Sequence, residues 1–209
     1  MIRLTRPAKR NALNDGLVLA LQNTFDSLPD TVRAAVIAGD VDHFAGLDLS
    51  ELKERDAGQG LRHSRMWHAA LERLQYGPVP VIAARRGAVA GGGLELATAC
   101  HIRVADESTF YALPEGSRGI FVGGGGSVRI PKLIGVARMT DMMLTGRVEN
   151  AEDGERIGLA QHLVPKGQAF AKAFELAQRV AQNAPLAAPS ASCASTRQRA
   201  GSLANPDVA

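Results

Sequence analysis

Residues 79–105 read VPVIAARRGAVAGGGLELATACHIRVA. The opening run, 79–84, is short, apolar and bounded by Pro78, which predicts a buried strand. Gly91, Gly92 and Gly93 interrupt the pattern. The next run, 94–100, has the composition and spacing of a helix, and 102–105 is a further short apolar strand. A strand, a glycine turn, a helix and a strand in that order set the fold class as α/β.

The rest of the chain extends the alternation. Leu17, Leu21 and Phe25 recur at helical spacing, with Leu28 continuing their face, so residues 14–26 form a helix that ends before Pro29 and Asp30. Residues 33–39 (RAAVIAG) predict a strand, 41–49 a loop and 49–57 a helix. Gln59 and Gly60 are expected to break the pattern before a helix over 61–76, whose Met66, Ala70, Leu71 and Leu74 lie near one face and which Gly77 and Pro78 stop. Beyond the quoted stretch, 119–126 is loop-like. Helices are expected over 128–134, 137–144, 152–157 and 170–182, with Pro131 and Gly135 as interruptions. After Asn183 the chain becomes rich in Ala, Ser and Pro without apolar periodicity. The expected organisation is therefore a core over 1–184 and an irregular or disordered tail over 185–209.

Hydrophobic residues make up 45% of the 209, enough for a sizeable core, but aromatics are only 4%, so aliphatic side chains carry the burial. The net charge of +3 is mild, and no basic stripe interleaved with aromatics points to nucleic acid. Cys100 and Cys193 have neither metal-site nor disulfide-framework spacing. The five histidines are scattered, and His63 and His68 are five apart, wrong for a shared helix-face metal site, so no metal is expected. No apolar signal region opens the chain and no run reaches membrane-span length, so the expected location is the cytoplasm.

Three local patterns carry chemistry. Phe44-Ala45-Gly46-Leu47-Asp48-Leu49 and Gly91-Gly92-Gly93-Leu94-Glu95 are both turns between a strand and a helix, and Leu113-Pro114-Glu115 precedes a glycine-rich loop. A glycine turn lets backbone approach a ligand, and N–H groups at a helix N-terminus point outward with partial positive charge. One N–H from each of the two turns can bind one developing oxyanion, a donor whose loss typically costs roughly 3–4 kcal/mol of barrier stabilisation. Two carboxylates beside it, Glu95 and Glu115, raise each other's pKa in a dry pocket and suit proton transfer near neutral pH. Gly123–Gly126 followed by Ser127 lacks the Lys-Ser or Lys-Thr of a P-loop, and Ser64 and Ser127 have no visible base partner for a serine triad.

Together these patterns resemble the crotonase, or enoyl-CoA hydratase/isomerase, family over residues 4–164. Arg6-Pro7 with Asn11-Ala12-Leu13 is similar to the family's early segment, and Thr145-Gly146-Arg147 and Gly158-Leu159-Ala160 to its later ones. The resemblance implies a spiral of repeated ββα units, assembled as a homotrimer or a hexamer, acting on acyl-CoA thioesters without a metal or redox cofactor. By position, the oxyanion donors are the amides of Leu47 and Gly92, with Glu95 as base towards water and Glu115 as proton donor to the α-carbon. Ala45, Gly46, Asp48, Gly91 and Gly93 would bind substrate in the two turns, and Met66, Pro114 and Gly123 would line it. Asp48 is also a candidate cap for the helix that follows.

The pair favours hydration of a 2-trans-enoyl-CoA over two alternatives, double-bond isomerisation or another reaction on the same scaffold, and acyl-CoA or partner binding without turnover. Three departures stand out. The first turn is one residue shorter than the Phe, Ser or Cys, Ala-Gly of relatives. The N-terminus keeps only residues 2–5 of a strand pair, and the C-terminal helical region is expected to be truncated or altered.

Overall fold

The computed structural model describes residues 1–39, 43–46, 48 and 56–183. In chain order the elements are β1 (Ile2–Leu4), α1 (Asp15–Asp26), β2 (Ala35–Gly39), β3 (His43–Ala45), α2 (Ala57–Gln75), β4 (Val81–Arg85), β5 (Ala88–Ala90), α3 (Gly92–Ala99), β6 (Ile102–Asp106), β7 (Phe110–Ala112), α4 (Gly126–Ile134), α5 (Val136–Thr145), α6 (Ala151–Arg156), β8 (His162–Val164) and α7 (Ala169–Ala181). Five strands form one parallel sheet in the order β1-β2-β4-β6-β8, and three form a second in the order β3-β5-β7. The three central windings each lay one strand in the larger sheet (β2, β4, β6), the next in the smaller (β3, β5, β7), and then a helix or helices, while β1 and β8 lead into α1 and α7. This is the α/β spiral of ββα units that the sequence led us to expect.

The central strands are apolar on both faces because both faces are covered. Ala35, Ile37, Val81 and Ala83 point into the main core, shared with Leu71, Leu74, Leu94 and Leu96. The alternate residues Val36, Ala38, Ile82, Ala84 and Val104 pack on the opposite side against Ala169, Ala173, Leu176 and Ala177 of α7. The small alanines let α7 lie close on the sheet. Each fully buried Ile or Leu contributes about 1.5–3 kcal/mol, so aliphatic side chains rather than aromatics offset the conformational entropy lost on folding.

Several expectations are corrected. Residues 43–45, expected in a loop, form β3, and β5, β7 and β8 were not anticipated as strands. Gln59 and Gly60 lie inside α2 rather than breaking it, because Asp56 caps the helix: its side chain accepts from the Gln59 N–H at 2.7 Å while Gln59 Oε1 accepts from the Asp56 N–H at 3.2 Å. Pro131 lies within α4 instead of ending it. Asp48 is buried and ion-paired with Arg6 at 3.0 Å. The helix expected over 49–57 falls mostly, and the tail over 185–209 entirely, outside the described residues. Among the described residues no helix is long and apolar enough to cross a membrane.

Candidate active site

Glu95 sits in the first turn of α3, buried, in a helix whose every residue is buried. Its Oε1 accepts two backbone hydrogen bonds, from Gly124 and Gly126, each 2.8 Å long. The donors belong to the glycine-rich segment leading into α4, and glycine is required there by contact: a Cβ on Gly126 would stand 2.8 Å from both Cγ and Oε1 of Glu95. Burial pushes the Glu95 carboxyl above its ordinary range, while the two amides and the Arg129 guanidinium oppose the rise. The carboxylate is thus desolvated yet held by two N–H groups.

Glu115 arrives from the other side of the same turn. It follows β7 and precedes a 3-10 turn over Gly116–Arg118, and its carbonyl accepts from Arg118 at 2.9 Å and from Ile120 at 3.2 Å. Leu113 anchors the approach in the core, and Gly116 lies so close to the Met143 carbonyl of α5 that no side chain would fit. The Glu115 side chain is buried, and its Oε2 has no hydrogen-bond partner among the described residues. Its pKa is pushed up to about 7, chiefly by desolvation; a hydrogen bond from its own backbone N–H opposes the rise, and the charge of Glu95 adds a lesser push upward.

Gly91 lies between the two acids. Its φ of +50° with ψ of −121° is a conformation that L side chains rarely adopt. A Cβ on it would come 2.5 Å from Oε1 of Glu115. The Gly91 N–H donates to the Ala112 carbonyl at 3.0 Å and its carbonyl accepts from the Glu95 N–H at 3.0 Å, so one residue ties β7 to α3. Gly92, the first residue of α3, is buried and belongs to the helical turn whose N–H groups have no acceptor within the helix. Gly93 is buried in the same turn.

The first glycine turn lies beside the second. β3 pairs with β5, Ala45 opposite Val89, with a register shift between His43 and Ala45 that leaves Phe44 unmatched and buried. A Cβ on Gly46 would stand 3.8 Å from the Ala90 carbonyl. Leu13 pins this turn from outside: its N–H donates to the Gly46 carbonyl at 2.6 Å and its carbonyl accepts from the Asp48 N–H at 2.9 Å. Arg6 adds a second hold through Asp48, the Ala12 carbonyl at 2.5 Å and, from its backbone N–H, the Asn11 side chain at 2.9 Å. The early segment picked out in the sequence therefore buttresses the turn. Asp48 faces Arg6, and the helix it was expected to cap lies mostly outside the described residues. Leu47 lies outside the described residues.

The other expected lining residues differ in exposure. Gly123 is half-buried, and its carbonyl accepts from Ser64 Oγ at 2.9 Å. Met66 is half-buried on α2 and packs against the main core, while Pro114 is exposed. Reasoning from sequence missed Arg129 and Gln75, which stand behind the glycine segment. An arginine in an amphipathic helix carries no sequence signal of burial, and the four glycines just before it were the only hint of close packing.

A parallel two-sheet spiral of ββα units with two buried glutamates near a helix N-terminus defines the class of α/β protein to which the chain belongs. The sequence profile of the enoyl-CoA hydratase/isomerase family matches residues 1–204. The chain is 36% identical over 192 residues to the 2,3-dehydroadipyl-CoA hydratase of Escherichia coli K12, covering 90% of this chain and 74% of that protein. It is 32% identical to the short-chain-enoyl-CoA hydratase of Clostridium acetobutylicum, over 90% of this chain and 73% of that one. A crystal structure of a Rhodopseudomonas palustris CGA009 protein, provisionally named an enoyl-CoA hydratase, superposes with a TM-score of 0.89 at 60% identity, covering 98% of this chain and 78% of that chain. The chain belongs to the enoyl-CoA hydratase/isomerase family.

Proposed function

We propose that the protein is an enoyl-CoA hydratase, adding water reversibly to a 2-trans-enoyl-CoA to give a 3-hydroxyacyl-CoA. The observation that carries this reading is two buried carboxyl groups, Glu95 and Glu115, close enough for the charge of one to act on the other yet in different environments. Glu95, bonded by two amides, suits the ionised partner. Glu115, with its pKa near 7 and an unpartnered oxygen, suits the protonated one.

In the forward reaction the thioester carbonyl sits at the N-terminus of α3, against the Gly92 amide and, on the family resemblance, the Leu47 amide. Glu95 takes a proton from a water molecule as its oxygen bonds to the β-carbon. The double-bond electrons move to the thioester oxygen, giving an enolate that the amides stabilise. Glu115 then protonates the α-carbon, and the carbonyl re-forms. One water is consumed, and a proton passing from Glu95 to Glu115 restores the resting pair. The chemistry calls for no metal or redox cofactor, since amides polarise and carboxyls carry protons.

The test is turnover of crotonyl-CoA, followed by loss of the conjugated thioester absorbance in water enriched in 18O. We expect the label in the product and a fall of about 10²–10⁴-fold in kcat for both Glu95→Gln and Glu115→Gln. Isomerisation without uptake of label, or one variant as active as the wild type, would overturn the two-carboxylate hydratase.

A further inference from the structure

Arg129 is buried on α4, and its guanidinium reaches two neighbours. One amino group, Nη1, donates to the Gly124 carbonyl at 2.7 Å, and Nε donates to Gln75 Oε1, at the end of α2, at 2.6 Å. Gly125 lies over the guanidinium so closely that a side chain there would collide with it. Gly124 therefore sits between two charges: its N–H is bonded to the Glu95 carboxylate, its carbonyl to Arg129. Hydrogen bonds in such a chain polarise one another in the same direction.

We infer that Arg129, tethered by Gln75, is a positioning residue that holds the glycine segment in register so that Gly124 and Gly126 present their amides to Glu95 as an oriented carboxylate. The inference rests on the hydratase reading of Glu95. Arg129 meets the substrate nowhere in this scheme and acts only through the glycines and through its field. Other ionisable groups share that field: Glu72 on α2, Tyr76 just after it and Cys100 after α3 act on Arg129, and Glu95 acts on Glu115. His68 on α2 flanks Gly125. Glu95 heads the groups that favour the charged guanidinium, and Arg129 in turn opposes the rise that burial imposes on Glu95.

A purely structural arginine tying α2 to α4 would affect folding but leave the proton affinity of Glu95 alone. The experiment compares wild type, Arg129→Met, Arg129→Lys, Gln75→Met and Glu95→Gln. It measures pH profiles of kcat and KM for hydration, and titrates the glutamate carboxyls by 13C NMR without substrate. We expect Arg129→Met to raise the ascending limb of kcat/KM, and the Glu95 titration, by about one unit or more. Its kcat should fall by about 10–100-fold with KM little changed. Arg129→Lys should restore the position of the limb without restoring kcat, because lysine keeps the charge but lacks the fork. A folded Arg129→Met with wild-type limb and titration would overturn the inference. If Arg129→Met does not fold, Gln75→Met decides: a fall in kcat at constant KM supports the tether, and unchanged kinetics overturn it. If Glu95→Gln retains activity, the hydratase reading fails by itself, and the NMR titration alone decides the role of Arg129.

Discussion

Glu115 is where desolvation has the clearest consequence. A carboxyl whose folded pKa is about 7 binds a proton that the unfolded chain, with an ordinary glutamate, has already released. Its contribution to stability is thus most favourable below about pH 4.5 and is lost as pH rises towards 7. Glu115→Gln should match the wild type in acid and exceed it above pH 7, by roughly 3 kcal/mol for a rise from 4.5 to about 7 at about 1.4 kcal/mol per unit. Chemical denaturation at pH 4.5 and pH 8 checks this, with the gap expected only at pH 8. The same ionisation should give kcat/KM for hydration a descending limb near 7, where the pair loses the proton Glu115 is to deliver. Both acids were legible in the sequence because each follows a turn signal: three glycines before Glu95, a proline before Glu115. Their environments were not. Nothing local in the sequence indicates that Gly124 and Gly126, about thirty residues on, supply the amides, or that Asp48 would face Arg6.

The helices show which signals survive packing. Leu21 and Phe25 of α1 are buried as their spacing requires. On α2 Ala70, Leu71 and Leu74 are buried as expected, and Trp67 is the fully packed fourth member while Met66 is only half-buried against the core. The start of α2 was misplaced because Gly60 weighed more than the Asp56–Gln59 spacing, although a reciprocal cap offsets one interior glycine. Asp56→Ala should lower stability by about 1 kcal/mol, seen as a reduced urea midpoint with unchanged slope. Strands β3, β5 and β7 escaped notice for a different reason. At three residues each they are too short to display alternation, and they exist only because they pair with one another across the chain. Pro131 is tolerated in α4 although it removes one backbone donor, and the buried Arg129, Ile130 and Ile134 hold the helix on the core in spite of that loss.

At the level of the molecule, several large apolar side chains remain outside either core. Val136 and Leu144 on α5, with Phe121 before α4 and Val148 after α5, are all more than half exposed. We propose that these side chains lie on a surface shared between copies, as the trimer or hexamer implied by the family resemblance would require. Leu144→Asp should lower the mass measured by light scattering towards the single chain of 22.0 kDa and leave the helical circular dichroism intact. Both sheets are parallel throughout, which has a consequence for how the chain acquires its structure. No two neighbouring strands can be joined by a hairpin, so every rung closes a long loop: Ala35 meets Val81, Ile82 meets Ile102, and Val104 meets His162. Loop closure must be met before those contacts repay it, which makes the rate of folding slow for the size of the chain. Glu95 and Glu115 follow β5 and β7, on two successive windings, so the two carboxyls come together only when the second ladder has zipped, and on the proposed reading a partly wound chain has no activity.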